Sequence, residues 1–220
     1  MTFRLKPVKL HDCREHGVDS KAELFIVEGD SASKTVARAR ESQFQAVLPM
    51  QGKPLNALKA SKRAVDQNEL YAVLRESIGA GWDDHFDLVS MRYSKVIMLF
   101  DPDADGIHCG ALMLLYFLRW MRPILDSGRL SVVQPPLYQL TSPTDGDVIH
   151  AYSSDHFQQI REALDAKKIQ FQSQRYRGLA SMGDQTLRHM CLDPATRQIH
   201  QLSIDDAEAA MKTFGGNLPK

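Results

Sequence analysis

Apolar and polar positions in this chain fall into short blocks separated by breakers, and each block predicts an element. Glu23-Leu24-Phe25-Ile26-Val27-Glu28 is an apolar run that stops at an acid and a glycine, the pattern of a buried strand entering a turn. Residues 31–42 lack breakers and are predicted helical, with Asp30 or Ser31 as the N-cap. A second strand is predicted over 44–48, closed by Pro49, and 51–56 carry the Gly and Pro of a loop. A helix over 68–78 ends at Gly79 and Gly81, and 95–100 is the clearest buried strand. One long helix is predicted over 107–125, closed by Ser127-Gly128. Beyond residue 129 the runs shorten. Strands are predicted over 130–133, 137–140 and 148–152, a hairpin turn over 144–147, and helices over 156–164 and 184–191.

Strand and helix alternation predicts an α/β fold with a mainly parallel sheet flanked by helices, followed by a smaller α+β region. The expected division is a lead-in over 1–22, the α/β domain over 23–140 and the α+β extension over 141–220. No internal repeat or low-complexity tract interrupts this order.

Composition narrows the class. Hydrophobic residues at 43% and charged residues at 25% exclude a disordered or fibrous chain. The cysteines Cys13, Cys109 and Cys191 are too far apart for a disulfide framework and share no metal-ligand spacing, so reduced thiols are expected. The first ten residues carry no apolar run, so no signal peptide is expected. The most apolar stretch, 111–121, contains Arg119 and falls short of the roughly 20 residues a membrane span needs. A soluble cytoplasmic protein without membrane contact is expected.

With 27 basic and 27 acidic residues the net charge is zero, which taken alone points away from nucleic acid. The charges are sorted, however. Residues 31–63 carry Lys34, Arg38, Arg40, Lys53, Lys59, Lys62 and Arg63 against only Glu41. A second basic cluster, Arg175-Tyr176-Arg177, follows Lys167 and Lys168 and precedes Arg188. A basic segment is often only a solvated helix face. Two of them beside clustered carboxylates suggest a phosphodiester substrate.

Those carboxylates stand in Asp101-Pro102-Asp103-Ala104-Asp105-Gly106, after the best strand and before the longest predicted helix. Open α/β sheets bind ligands at that edge. Two carboxylates about 4 Å apart repel by ~4 kcal/mol at an effective dielectric of 20, and a hard divalent cation relieves this. An EF-hand loop would need a Glu where Leu112 stands. An aspartyl-phosphate phosphatase, with Asp101 as nucleophile and Asp103 as acid, stays open as an alternative. A solvated turn capping the helix accounts for one Asp but not three. Glu28-Gly29-Asp30-Ser31 lies at another strand-to-helix switch. Its continuation to Lys34-Thr35 lacks the glycine a phosphate loop places before the lysine, since Ser33 stands there.

Taken in order, five motifs resemble the type IIA DNA topoisomerases. They are Glu28-Gly29-Asp30-Ser31-Ala32, Gly52-Lys53-x-Leu55-Asn56, Asp101-x-Asp103-x-Asp105-Gly106-x-His108, Gln134-Pro135-Pro136-Leu137-Tyr138 and Arg175-Tyr176-Arg177-Gly178-Leu179. The chain is similar to the TOPRIM and adjoining C-terminal region of the gyrase B and topoisomerase IV B subunits, from about residue 9 to about 214. It departs from the family at Ser33-Lys34, Gln51 and Ala180, and from 214–217 onward it lacks the basic segment with which family members are expected to continue. The resemblance implies a TOPRIM Rossmann-like fold. It also implies that Glu28, Asp101 and Asp103 hold one or two Mg²⁺ ions (Mn²⁺ able to substitute), with Asp105 in support, and that all four serve catalysis. Lys53, Asn56, Arg175 and Arg177 would meet DNA. An A-type partner subunit would supply the nucleophilic tyrosine, so Tyr138 and Tyr176 are expected to pack or lie near DNA. The ATPase region of the family would be separate. A stand-alone TOPRIM nuclease and a non-catalytic module that binds DNA or a topoisomerase are the alternatives.

Overall fold

The structure, a computed structural model, describes residues 9–214. The expectations about a leader at 1–8 and about the ending at 215–217 lie outside the described residues. In chain order the elements begin with β1 (Glu23–Glu28), α1 (Gly29–Ala39), β2 (Gln45–Met50), α2 (Lys62–Asp66) and α3 (Glu69–Ile78). They continue with β3 (Lys95–Leu99), α4 (Ala104–Trp120), α5 (Arg122–Asp126) and β4 (Leu130–Val133). The last group is β5 (Tyr138–Thr141), β6 (Val148–Ala151), α6 (Ser154–Ala166), β7 (Gln172–Arg175), α7 (Asp184–Leu187), β8 (Ile199–Gln201) and α8 (Ile204–Phe214).

The main sheet has the order β2-β1-β3-β4-β8, parallel except for β8, so the expected mostly parallel sheet flanked by helices is what forms. Successive side chains of β1 point to opposite faces. Leu24 and Ile26 enter the core under α3, α4 and α8, while Phe25 and Val27 enter the one under α1 and residues 176–192. All four are fully shielded from solvent, because helices cover both faces. In the first core Tyr71 stacks on Tyr116 with ring centres 4.0 Å apart.

β2 runs through Pro49 instead of stopping before it. The Val47 N–H donates outward to the His11 carbonyl at 2.9 Å, so the Pro49 nitrogen two residues on also faces the outer edge, where no ladder bond is lost. α1 starts at Gly29, whose φ of 75° turns the chain directly from strand to helix. Glu28 therefore holds the N-cap position, not Asp30 or Ser31, and its carboxylate makes no capping bond. The helix predicted over 107–125 is two helices, broken at Met121. Pro123 has no N–H to give to the Arg119 carbonyl, and its ring would strike that carbonyl.

A second sheet, β6-β5-β7, is antiparallel, and its β5–β6 hairpin closes through the predicted turn, with Gly146 at φ 78°. Its third strand, β7, is wholly exposed Gln-Ser-Gln-Arg and carries no apolar signal; pairing with β5 makes it a strand. After β7 the chain returns to the main sheet. Tyr176, Leu179, Met182, Leu187 and Cys191 pack over Phe25, Ile97 and Leu99, and β8 adds the fifth strand. Arg197 ties this return to the start of β1: its Nη1 donates to Glu23 Oε2 at 2.8 Å and to the Leu192 carbonyl at 3.0 Å. Its Nη2 meets the other carboxylate oxygen. Gln45 Nε2 donates to the same carboxylate at 3.0 Å.

Candidate functional site

β1 and β3 pair in parallel with Val27 opposite Leu99, so Glu28 and Asp101 leave the sheet side by side at its C-terminal edge. Asp103 follows as the N-cap of α4, its Oδ1 accepting the Gly106 N–H at 2.9 Å. Asp105 lies exposed in the first helical turn, where Lys53 Nζ approaches its Oδ1 to 3.2 Å. Gly106 packs so closely on the Asp101 backbone that a Cβ would strike the Asp101 carbonyl. The glycine thus lets α4 begin directly behind the acidic turn.

The electrostatics match a cation-binding set. Burial raises the Glu28 pKa, the charges of Asp101, Asp103 and Asp105 raise it further, and Lys53 opposes them only in part. Burial also raises the Asp101 pKa and Asp103 adds to it, against the lowering effect of the Leu179 N–H. These are hard oxygen donors that burden one another and that the chain's own cations leave largely unanswered. Their chemistry fits a divalent ion such as Mg²⁺.

Asp101, Pro102, Asp103, Leu137, Arg175, Tyr176 and Arg177 line one open cleft of about 500 Å³. The fold therefore brings together two of the carboxylates with both arginines of the second basic cluster, from positions more than 70 residues apart in the chain. Arg175 and Arg177 are exposed, while Tyr176 between them is buried and donates its hydroxyl to Gln139. Tyr138 stacks on Phe157 at 4.3 Å, with the Arg175 guanidinium 5.9 Å from its ring centre. Both tyrosines therefore pack. Lys53 reaches the acidic group through Asp105 but does not line the cleft. Asn56 is likewise outside the cleft lining; its Oδ1 accepts the Leu58 N–H at 3.2 Å and orders the turn that follows.

A contact that sequence reading missed holds Asp101 from the far side. The Leu179 N–H donates to Asp101 Oδ1 at 2.8 Å, and a Cβ on Gly178 would lie 2.5 Å from Oδ2. The only signal for it was a glycine beside two arginines.

Among the described residues, the only three His, Cys, Asp or Glu ligand atoms within 4.8 Å of one another belong to Asp12, Cys13 and His16. Their partners argue against a metal there. The Asp12 carboxylate accepts from the Tyr93 hydroxyl at 2.7 Å and from the Cys13 N–H at 2.9 Å, and it pairs with Arg92. His16 Nε2 lies 3.0 Å from the same carboxylate and 3.1 Å from the Arg92 guanidinium, so a metal ion would sit against a fixed positive charge. Burial would lift the Asp12 pKa, but Tyr93, His16, the Cys13 N–H and Arg92 outweigh it and hold the group at about 2. Burial first, and Asp12 second, push the Cys13 thiol up to about 11.

Residues 23–135 match the Toprim domain family. This chain belongs to the Toprim family. Its Toprim segment spans β1 to β4 and contains Glu28 and the whole 101–105 group. Over nearly all its length the chain is similar to DNA gyrase B subunits. It is 39% identical over 208 residues to the Thermotoga maritima protein, covering 94% of this chain and 32% of that one. It is 37% identical over 208 residues to the Archaeoglobus fulgidus protein, with the same coverage. To the Mycobacterium tuberculosis protein it is 39% identical over 213 residues, covering 94% of this chain and 31% of that one. The chain thus spans about a third of the length of these curated relatives. The arginines of the cleft lie beyond the Toprim segment, so the cleft draws on residues that follow the domain. Among the described residues, no helix is long and apolar enough to cross a membrane.

Proposed function

We propose that this Toprim chain is the Mg²⁺-dependent DNA cleavage–religation module of a type IIA topoisomerase. It acts in the cytoplasm with an A-type partner that supplies the nucleophilic tyrosine and with a separate ATPase region. The observation that carries the reading is the single cleft shared by Asp101, Asp103, Arg175 and Arg177. It joins the two requirements of phosphodiester chemistry, a place for cations and a place for phosphate.

Glu28, Asp101 and Asp103 hold the divalent ion or ions. A bound Mg²⁺, or Mn²⁺ in its place, stabilises negative charge on the transferring phosphate and the oxygens around it. Arg175 and Arg177 grip backbone phosphates and set the register of the strand. Lys53, whose ammonium is held near Asp105, also meets DNA, and Asn56, which orders the turn that follows it, does so beside it. The partner tyrosine attacks a DNA phosphodiester, forming a phosphotyrosyl bond and releasing a 3′ hydroxyl. The same hydroxyl reverses the step by attacking the phosphotyrosyl bond.

The test is DNA cleavage with an A-type partner and an ATPase region supplied, wild type against Asp101→Ala. The variant is expected to lose at least about a hundredfold in rate, the scale of several kcal/mol of transition-state stabilisation. Equal cleavage by the two proteins overturns the reading. Metal-dependent nicking by the chain alone would support a stand-alone Toprim nuclease instead, and DNA binding without chemistry alongside any partner would support a non-catalytic module.

A further inference from the structure

Asp101 is gripped by a part of the chain that lies beyond the Toprim segment. The turn over 176–181 reaches across from beyond the Toprim segment and donates the Leu179 N–H to Asp101 Oδ1 at 2.8 Å. Gly178 lies flat against the same carboxylate, with any Cβ 2.5 Å from Oδ2 and 3.0 Å from Cγ. Its φ of 145° is a conformation that other residues adopt only under strain. The turn is itself braced: Ser181 Oγ accepts the Arg177 N–H at 3.0 Å and donates to the Gly178 carbonyl at 2.7 Å. Leu179 is anchored in the core beneath.

From this geometry we infer that Gly178 and the Leu179 amide are positioning elements of the metal site, and that the turn couples DNA to the cation. One oxygen of Asp101 is fixed by the amide, which orients the carboxylate and leaves Oδ2 for a ligand. The absence of a side chain at 178 is what lets the carboxylate keep that orientation. Arg177 precedes Gly178 directly, so a phosphate held by Arg177 and an ion held by Asp101 bear on the two ends of one braced turn. Each ligand is then expected to tighten the other, reciprocally. The inference rests on the assignment of Asp101 as a metal ligand.

The test is calorimetric titration of the 220-residue chain with Mn²⁺, with and without a short DNA duplex, alongside thermal melting in EDTA. Wild type, Asp101→Asn, Gly178→Ala and Ser181→Ala are compared. Gly178→Ala is expected to weaken Mn²⁺ binding by about tenfold or more, the cost typical of removing a residue that orients a metal ligand. DNA affinity in EDTA should stay unchanged, because Arg175 and Arg177 remain in place. Ser181→Ala, which adds no bulk, is expected to lower Mn²⁺ affinity a few-fold and to shrink the mutual enhancement by DNA while melting as wild type does. If Asp101→Asn abolishes Mn²⁺ binding but Gly178→Ala and Ser181→Ala bind it like wild type, the positioning role is overturned and the metal assignment stands. If Asp101→Asn binds Mn²⁺ like wild type, both fall.

Discussion

Strand β1 begins with Glu23 and ends with Glu28, and the fold treats these two glutamates in opposite ways. Glu23, at the N-terminal edge of the sheet, is buried and answered in full by the fork of Arg197 and the amide of Gln45. Glu28, at the C-terminal edge, is half-buried and faces Asp101, Asp103 and Asp105, with Lys53 as its counterweight. Asp12 belongs with Glu23, since four donors surround it and its pKa is held low. Asp101 belongs with Glu28, since its pKa is raised. Carboxylates that the protein satisfies itself serve the fold. Those that it sets near one another with raised pKa values, Glu28 and Asp101, are, on the proposed function, arranged for a cation that comes from outside.

The comparison breaks first if the satisfied group proves dispensable. Arg197→Ala strands a buried carboxylate at Glu23, so unfolding stability measured in urea should drop by about 3–5 kcal/mol. A loss below about 1 kcal/mol would remove Glu23 from the structural class.

A smaller effect sharpens the same contrast through pH. Asp12 has its pKa lowered from 3.8 to about 2 by folding, so its ion pairs and hydrogen bonds stabilise the native state above pH 4. That contribution fades as pH falls toward 2. The group is more than a third exposed, so solvent screening leaves about 1 kcal/mol. Asp12→Asn should lower stability at pH 7 by that amount and bring the variant level with wild type near pH 2, as read from denaturant curves at each pH.

The smallest effect carries the opposite sign. Glu28 has a higher pKa folded than unfolded, so its ionised form opposes folding at neutral pH. Glu28→Gln should raise stability in EDTA at pH 7, by less than about 1 kcal/mol, and the advantage should vanish as the pH drops and the wild-type carboxyl takes up its proton. A destabilised Glu28→Gln variant would move this residue to the structural class.

Much of this was legible in the chain itself. β1, β3 and the acidic turn stand out because a fully buried parallel strand is a continuous apolar run, and three carboxylates within five residues directly after one are a pattern of their own. The helix break at Met121 was also readable, since Pro123 sits inside the predicted helix. β7 and β8 were not, because one is wholly polar, the other is three residues long, and both owe their conformation to partners distant in sequence. α8 buries only Ala207 fully, so its apolar stripe is faint. The grip of Gly178 and Leu179 on Asp101 spans more than 70 residues, and the pairing of Arg197 with Glu23 spans 174. Contacts of that kind leave no local pattern; the first holds a carboxylate of the candidate site and the second ties the C-terminal return to the start of β1.

The most direct measurement is a calorimetric Mg²⁺ or Mn²⁺ titration of the chain carrying both Glu28→Gln and Asp101→Asn, paired with its melting curve in EDTA. Carboxylates arranged for an external cation predict that the double variant loses ion binding by at least about tenfold while melting no lower than wild type. Undiminished ion binding, or a double variant that melts well below wild type, would contradict the account.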